Sequence, residues 1–159
     1  MKLLKSIALG LSILAWPLSG AALADDKATV QLFYDFLSNP ASENHAAAFN
    51  DVVADDWESI GDYSGKTKSG AELIGQMGGF AQQIPDLNWA VEEMIQGENR
   101  VIVRGRATGT PSGPLFGVDG NGKSFEIMSI DIHSVEDGKI VRTYHVEDWA
   151  GALRQLRAQ

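Results

Sequence analysis

The sequence predicts an α+β fold in which three helices pack on one side of a curved antiparallel sheet, with a short helix at the C-terminus. Two observations support this prediction. Apolar residues recur at helical spacing up to about residue 85, and they alternate with polar residues in several segments after residue 88. Helices followed by a run of strands are typical of α+β domains.

Residues 1–24 have the layout of a secretory signal. Lys2 and Lys5 precede an apolar stretch over residues 7–16, and Ala22-Leu23-Ala24 supplies the small residues that signal peptidase recognises. The apolar stretch is shorter than the roughly 20 residues that span a bilayer, although an uncleaved anchor is the alternative. We predict cleavage after Ala24, a single domain over residues 25–159, a periplasmic or secreted location, and no membrane association after cleavage.

The net charge and the absence of cysteine restrict the kinds of binding partner and site that this protein is expected to have. The 159-residue chain carries a net charge of −8 and no cysteine, and removal of the signal, which holds two basic and no acidic residues, leaves −10. So acidic a protein is not expected to bind nucleic acid or an anionic membrane surface. The lack of cysteine excludes disulfides, a thiol nucleophile and cysteine-based metal sites.

Helical periodicity predicts three helices in the first half of the domain. The first ends before Pro40, and its apolar stripe is Val30, Phe33, Tyr34 and Leu37. The second is capped by Ser42, and its apolar face is Ala46, Phe49 and Val53. The third begins at a capping box, Ser69 to Glu72, and ends by Pro85; its inward residues are Leu73, Met77 and Phe80.

Alternating patterns predict four strands in the second half. They cover residues 88–95, 100–108, 124–135 and 139–146, and a Gly/Pro-rich connection occupies 109–123. A last helix is expected from Asp148, with Trp149, Leu153 and Leu156 on one face.

The turn at Glu136-Asp137-Gly138 determines which residues of the last two strands meet. If it is a three-residue loop with Gly138 in the left-handed conformation, Val135 lies opposite Lys139. That register pairs His133 with Val141, Asp131 with Thr143 and Ser129 with His145. Asp131 and His145 then share one face of the sheet as diagonal neighbours, whereas a two-residue loop would put them on opposite faces.

Asp131 and His145 are the predicted catalytic residues. A carboxylate can orient an imidazole that titrates near neutral pH, which makes the pair suitable for acid–base catalysis; a purely structural hydrogen bond is the alternative. His133 lies on the same face and is a candidate ligand contact. A metal site built from these three residues is conceivable, but their spacing is not diagnostic, and we predict no metal. His45 is expected to be polar surface.

Several large side chains are candidates for the lining of a ligand cavity. They are Trp57, Tyr63, Met77, Phe80, Trp89, Phe116 and Phe125, for each of which a place in the core is the alternative. Arg104 shares a strand face with Arg106 and is a candidate for a charged contact in the cavity, unless the two form a solvated pair. The sequence has neither a phosphate-binding loop nor a Gly-x-Ser-x-Gly element.

From Gly70 to Leu156 the chain resembles the SnoaL-like polyketide cyclases, within the wider nuclear-transport-factor-like fold. The matching stretches are Gly70-Ala71-Glu72-Leu73, Pro85-Asp86-Leu87, Thr108-Gly109-Thr110, Phe116-Gly117, Asp137-Gly138-Lys139-Ile140 and residues 148–156. The resemblance implies a cone-shaped barrel of three helices against a strongly curved antiparallel sheet, an open hydrophobic cavity and a homodimer.

The resemblance also implies ring closure by an aldol reaction without metal or cofactor, using an aspartate on the last strand and a histidine on the strand before it. Aligned through Asp137-Gly138-Lys139-Ile140, the aspartate position holds His145 and the histidine position holds Asp131. The two residue types are therefore exchanged in this chain, which argues against the cyclase reaction itself.

Three functions follow from these observations. The first is a cofactor-independent enzyme that acts on an apolar carbonyl or ester-like compound, with His145 as the acid–base residue oriented by Asp131. The second is a non-catalytic binding protein for a hydrophobic small molecule outside the cytoplasm. The third is a dimerisation module that uses the outer sheet face, with Met128, Ile130, Ile132 and Tyr144.

Export is directly testable. In a Gram-negative host expressing the full chain, we expect the periplasmic or secreted form to begin at Asp25, because signal peptidase cuts after an Ala-x-Ala sequence. N-terminal sequencing and intact mass would identify this end. Replacing Ala24 with a bulky residue should leave the precursor uncut, and a cytoplasmic product that retains Met1 would contradict the prediction.

Overall fold

The computed structural model describes residues 26–158, and the predicted signal lies outside them. Its elements, in chain order, are α1 (Asp26–Ser38), α2 (Glu43–Val52), β1 (Val53–Ile60), α3 (Gly70–Gln83), β2 (Asn88–Gln96), β3 (Arg100–Gly109), β4 (Phe125–Glu136), β5 (Lys139–Glu147) and α4 (Trp149–Arg157). The predicted α+β class is confirmed, with three helices and a sheet followed by a short C-terminal helix, although β1 lies between α2 and α3. Within these residues, no helix is long and apolar enough to cross a membrane.

The five strands form one open, mixed sheet in the order β1-β5-β4-β3-β2. The neighbours from β2 to β5 are antiparallel, as predicted, but β1 pairs with β5 in parallel. β1 is not among the strands predicted from the sequence, because the apolar pattern places Val53 on the apolar face of the second helix. Val53 instead adopts extended backbone angles, φ −98° and ψ 152°, and this ends α2 and begins β1.

One face of the sheet is covered by the helices and forms the core. Buried and exposed residues alternate along β3 and β4, as expected for strands with one face in the core. α1 packs against β2 and α2, α3 against β1, and α4 against β4. Side chains that are almost wholly buried include Val30, Phe36, Phe49, Ile140 and Leu156. Burial of each large apolar side chain stabilises the fold by about 1.5–3 kcal/mol.

Side-chain caps fix the N-termini of α3 and α4, two of the helices that border the cavity. At α3, the Ser69 hydroxyl accepts from the Glu72 backbone N–H, and the Glu72 carboxylate accepts from the Ser69 backbone N–H at 2.8 Å, which confirms the predicted capping box. At α4, the Asp148 carboxylate accepts from the Gly151 backbone N–H at 2.7 Å. This cap fixes the start of α4 and thereby the position of Trp149.

The turn between β4 and β5 is a two-residue loop, so the predicted three-residue loop is wrong. Asp137 and Gly138 both have positive φ, 50° and 76°, and Glu136 lies opposite Lys139. Asp-Gly is a preferred pair for such a type I′ turn, whose twist matches that of the flanking strands.

A β-bulge in β5 then shifts the register by one residue. Val135 pairs with Ile140, but Ser134 pairs with Arg142, which leaves Val141 as the extra residue. The observed pairs are His133 with Thr143, Asp131 with His145, and Ser129 with Glu147. The three predicted pairs are therefore wrong by two residues on β5. The short turn and the bulge each move the register by one residue in the same direction, and a total shift of two residues leaves Asp131 and His145 on the same, inner face.

Candidate functional site

A cavity of about 280 Å³ lies between α1, α3 and the inner face of the sheet. One part of its wall is apolar and is formed by Phe33, Leu37, Leu73, Met77, Phe80, Trp89, Phe116 and Trp149. The remainder is polar and is formed by Ser59, Lys68, Gln76, Asp131, Thr143, His145 and Glu147. A mainly apolar pocket with a few convergent polar groups is the usual form of a small-molecule site.

Asp131 is buried at the polar end of the cavity and is held from two directions. Its Oδ2 accepts a hydrogen bond from the Tyr34 hydroxyl at 2.6 Å and another from the Ser129 hydroxyl at 3.2 Å. Ser129 in turn accepts from the indole N–H of Trp89 at 3.1 Å. Gly105 leaves room for this contact, since a Cβ there would lie only 2.5 Å from the Ser129 hydroxyl oxygen.

A second line of hydrogen bonds leads from Tyr34 to Trp57. The Tyr34 oxygen lies 3.1 Å from Nε2 of His133, whose Nδ1 lies 3.0 Å from the Thr143 hydroxyl. Thr143 accepts from the indole N–H of Trp57 at 3.1 Å. When Asp131 is ionised it can only accept, so Tyr34 must donate to it, and the neutral ring of His133 must donate from Nε2 and accept at Nδ1. Both lines of donors then converge on Asp131.

Burial controls the ionisation of this network. It raises the pKa of Asp131 to about 6; the hydrogen bond from Tyr34 opposes that rise, and the charge of Glu147 adds to it. Burial also lowers the pKa of His133 to about 3, with a smaller contribution from His145. The pKa of Tyr34 is well above its ordinary value because of burial and the adjacent charge of Asp131. His133 is therefore a neutral structural residue near neutral pH.

His145 is held by Glu147 rather than by Asp131, contrary to the sequence-based expectation. Its Nδ1 lies 2.6 Å from a carboxylate oxygen of Glu147, two residues further along the same strand face. Nδ1 therefore donates this hydrogen bond, and Nε2 is the ring nitrogen that remains to accept one. Among the described residues, Nε2 of His145 is the buried side-chain polar atom without a hydrogen-bond partner.

Asp131, His145 and Glu147 form a compact cluster of titratable groups. One ligand atom from each lies within 4.8 Å of the other two, and by residue type the cluster could also bind a divalent cation. His133, considered as a metal ligand in the sequence analysis, is not available for that role, because both of its ring nitrogens are engaged by Tyr34 and Thr143.

The structure separates the candidate ligand contacts into three groups. Met77, Phe80, Trp89 and Phe116 line the cavity together with the two predicted catalytic residues. Three others are buried behind its wall and support it: Trp57, Phe125 and His133.

Two of the candidates do not reach the cavity. Tyr63 is fully exposed in the loop after β1, where it borders a groove on the outer side of the sheet. Arg104 points to solvent and pairs with Glu93 at 3.3 Å, because even-numbered positions of β3 face outward. Arg106 is paired with Glu92 on the same outer face, so the solvated alternative holds for both arginines.

Sequence reasoning missed Tyr34, Glu147, Trp149 and Lys68 as parts of the site. Glu147 could have been found, since it follows His145 by two residues and therefore shares its strand face. Tyr34 belongs to the buried stripe of α1, and a buried phenol requires a hydrogen-bond partner, but the sequence did not indicate which one. Trp149 and Lys68 enter the cavity through tertiary packing alone.

Comparison with known proteins places this architecture in a family. The sequence profile of the SnoaL-like polyketide cyclases matches residues 28–156, which is nearly all of the described chain. No curated protein matches the sequence significantly.

Solved structures show the same fold. IdmH of Streptomyces antibioticus, a candidate polyketide cyclase, superposes with a TM-score of 0.73 at 22% identity and covers 84% of this chain and 99% of its own. AclR of Streptomyces galilaeus, a candidate hydroxylase, gives 0.70 at 21% identity and covers 85% and 97%. An NTF2-like protein of unknown function from Burkholderia pseudomallei K96243 gives 0.64 at 20% identity and covers 84% and 98%. Similarity at this level establishes the fold, and the chemistry has to be argued from the residues.

The pKa values of Asp131 and His133 predict opposite effects on stability. The pKa of Asp131 rises from about 3.9 to about 6 on folding, so its contribution to stability is complete below pH 3.9 and is lost as the pH rises through 6. The pKa of His133 falls from about 6.5 to about 3, so its contribution is present above pH 6.5 and is lost during acidification. Between about pH 4 and 6 the two effects cancel.

Asp131→Asn should therefore be more stable than the wild type at pH 7 by about 1–3 kcal/mol, because it removes a buried charge while its amide oxygen still accepts from Tyr34 and Ser129. Relative to the wild type, it should then lose about 1.4 kcal/mol per pH unit between pH 6 and 4, because the His133 effect is no longer cancelled. Urea unfolding at several pH values measures both quantities. Equal pH slopes for the two proteins would contradict the assignment.

Proposed function

This chain belongs to the SnoaL-like polyketide cyclase family, and from that premise we propose that it is a cofactor-independent acid–base enzyme. Its substrate is an apolar carbonyl or ester-like compound bound in the cavity. The reaction begins with removal of a proton from the carbon next to the carbonyl group. The observation that carries the proposal is the cluster of His145 with the carboxylates of Asp131 and Glu147 in the polar part of the cavity wall, together with the buried Nε2 of His145, which has no hydrogen-bond partner.

His145 is the acid–base residue in this proposal. Glu147 accepts a hydrogen bond from Nδ1–H and thereby holds the ring, so Nε2 has a free lone pair in the neutral form. A bound substrate that reached Nε2 would supply its missing partner and deliver a proton to it. General acid–base catalysis by a positioned side chain typically accelerates a reaction by about 10²–10⁴-fold.

Asp131 is the second member of the pair. Its carboxylate lies within 4.8 Å of the cluster atoms of His145 and Glu147, so its negative charge favours the imidazolium that forms when Nε2 takes up a proton. Tyr34 and Ser129 hold the carboxylate in place. The developing negative charge on the substrate oxygen requires hydrogen-bond donors, and Lys68 and Gln76 are the donors on the same wall of the cavity.

The apolar wall supports an apolar ligand. Side chains from α1, α3, β2 and the start of α4 surround the cavity, and five of its eight apolar lining residues are aromatic. A ligand with one carbonyl group and an apolar body would place each part against a matching surface. Burial of the apolar body contributes about 25 cal/mol per Å² to binding.

The outer face of the sheet supports the proposal of a homodimer. Met128 and Val146 are 56% and 69% exposed, and Ile102, Ile130 and Tyr144 extend the same apolar surface. Exposed apolar patches of this kind mark interaction surfaces.

A charge at the centre of the patch should prevent association, so Ile130→Glu is expected to halve the mass measured by light scattering. A wild-type protein that is already monomeric at high concentration would refute the dimer.

The acid–base proposal can be tested by proton exchange, a measurement that does not require an identified product. The protein is incubated in D₂O with a panel of apolar ketones and esters. The α-protons of a substrate should exchange for deuterium, and NMR or mass spectrometry measures the rate of this exchange. His145→Gln and Asp131→Asn should each reduce the exchange rate about 10²–10⁴-fold. Glu147→Gln should reduce it less, because the ring remains in place but its proton is held more weakly.

His45→Gln is the matched control, since this histidine lies on α2 and does not line the cavity. It should retain wild-type exchange, and circular dichroism should show that all variants are folded. Full exchange activity in both His145→Gln and Asp131→Asn would refute the proposed roles. A ligand that co-purifies chemically unchanged, with no exchange for any compound, would instead favour the non-catalytic binding protein.

A further inference from the structure

Phe116, at the mouth of the cavity, has a backbone conformation that is unfavourable for phenylalanine. Phe116 has a φ of 47°, in the left-handed region, and is followed by Gly117 with a φ of 80°. The two residues form the tip of a tight turn in which Leu115 and Val118 exchange two backbone hydrogen bonds of 2.9 Å. Glycine, asparagine and aspartate are the residues that tolerate a positive φ at this position, whereas bulky residues are strained there.

Within residues 26–158, two other turns have this geometry, and both use the favoured residues. Asn121 and Gly122 have φ angles of 49° and 78°, and Asp137 and Gly138 have φ angles of 50° and 76°. The three turns therefore share one backbone geometry. Of the three, the turn at the cavity mouth alone has an aromatic residue where the other two have a short polar one.

Packing does not explain the choice of phenylalanine. Phe116 is 58% exposed, so its ring gains little from burial. The ring lines the cavity and lies against two other aromatic rings of the wall, with centroid distances of 6.3 Å to Phe80 and 5.6 Å to Trp149. These two ring contacts leave more than half of Phe116 exposed, and a strained residue at so exposed a position indicates a functional requirement.

We propose that Phe116 is a specificity-determining residue, which closes the apolar end of the cavity over the ligand and limits the length of its apolar group. This inference rests on the apolar-ligand cavity of the proposed function, but not on the acid–base reaction. The apolar body of the bound ligand covers the inner face of the Phe116 ring and thereby buries apolar surface that is exposed in the free protein.

The turn presents Phe116 in a fixed position. Leu115 and Val118, on either side of the tip, are buried, and the Ser112 backbone N–H donates to the Gln83 carbonyl oxygen at 2.8 Å, which ties the preceding loop to the end of α3. A ring held in this way acts as a wall rather than as a mobile lid. It is therefore expected to impose a sharp limit on ligand length.

The test compares Phe116→Asn with the wild type in stability and in binding. Asparagine suits the left-handed conformation, so the variant should be more stable, with a Tm higher by about 2–4 °C. Binding is measured by displacement of the fluorescent probe 8-anilinonaphthalene-1-sulfonate with a homologous series of 2-alkanones. In the wild type, the affinity for a 2-alkanone should rise about fourfold with each added methylene until its alkyl group reaches Phe116, and should not rise further with longer alkyl groups.

In Phe116→Asn, affinity for the best wild-type ligand should fall about tenfold, and longer alkanones should continue to gain. Phe116→Tyr, which keeps the ring, should restore the wild-type limit. Asn121→Phe is the matched control: it places the same residue in the same kind of turn outside the cavity lining, so it should lower the Tm and leave binding unchanged.

A less stable Phe116→Asn would show that the ring is structural and would overturn the inference. The inference would also be overturned if Phe116→Asn showed the same dependence of affinity on alkanone length as the wild type, or if the wild type bound none of the alkanones. A shifted length limit without proton exchange in D₂O would support the role of Phe116 and refute only the acid–base reaction. The two proposals are thus tested separately.

Discussion

The hydrogen bond from Tyr34 to Asp131 is the interaction on which the interior depends. It joins α1 to β4 across 97 residues of sequence and satisfies a carboxylate that would otherwise be costly to bury. Its direction is set by the rest of the network, because the indoles of Trp57 and Trp89 can only donate and the ionised carboxylate can only accept. The contact thus ties α1 to the strand that carries the buried carboxylate of the cavity wall.

The two ends of the cavity both depart from ordinary structural preferences. At the polar end, the buried carboxylate of Asp131 belongs to the same cluster as His145, whose Nε2 is buried without a partner, and Gly61 makes room for that ring, since a Cβ there would lie 3.1 Å from Cε1 of His145. At the apolar end, Phe116 occupies a left-handed position. Within the part of the chain that the structure describes, these two departures meet in one cavity, which indicates that the cavity is the functional part of the molecule.

The exchange of residue types relative to the cyclase pattern acquires a physical meaning in the structure. His145 on the last strand is flanked by Asp131 on the neighbouring strand and by Glu147 on its own strand. An imidazole between two carboxylates is stabilised when it takes up a proton. This arrangement suits a histidine base, whereas the related pattern places an aspartate at the same position. The shared fold therefore does not require a shared reaction.

The sequence alone determined the features that depend on neighbours along the chain: the stripe of α1, the capping box of α3, the alternation in β3 and β4, and the family resemblance. It also led to the inner-face placement of Asp131 and His145, but through an incorrect turn: the shorter loop and the bulge at Val141 together shift the register by two residues, and such a shift keeps each side chain on its face. Only the tertiary structure decided the parallel pairing of β1, the bond from Glu147 to His145, the convergence of two hydrogen-bond lines on Asp131 and the outward direction of Arg104. These features arise from competition among contacts distant in sequence, and local patterns carry no information about which contact prevails.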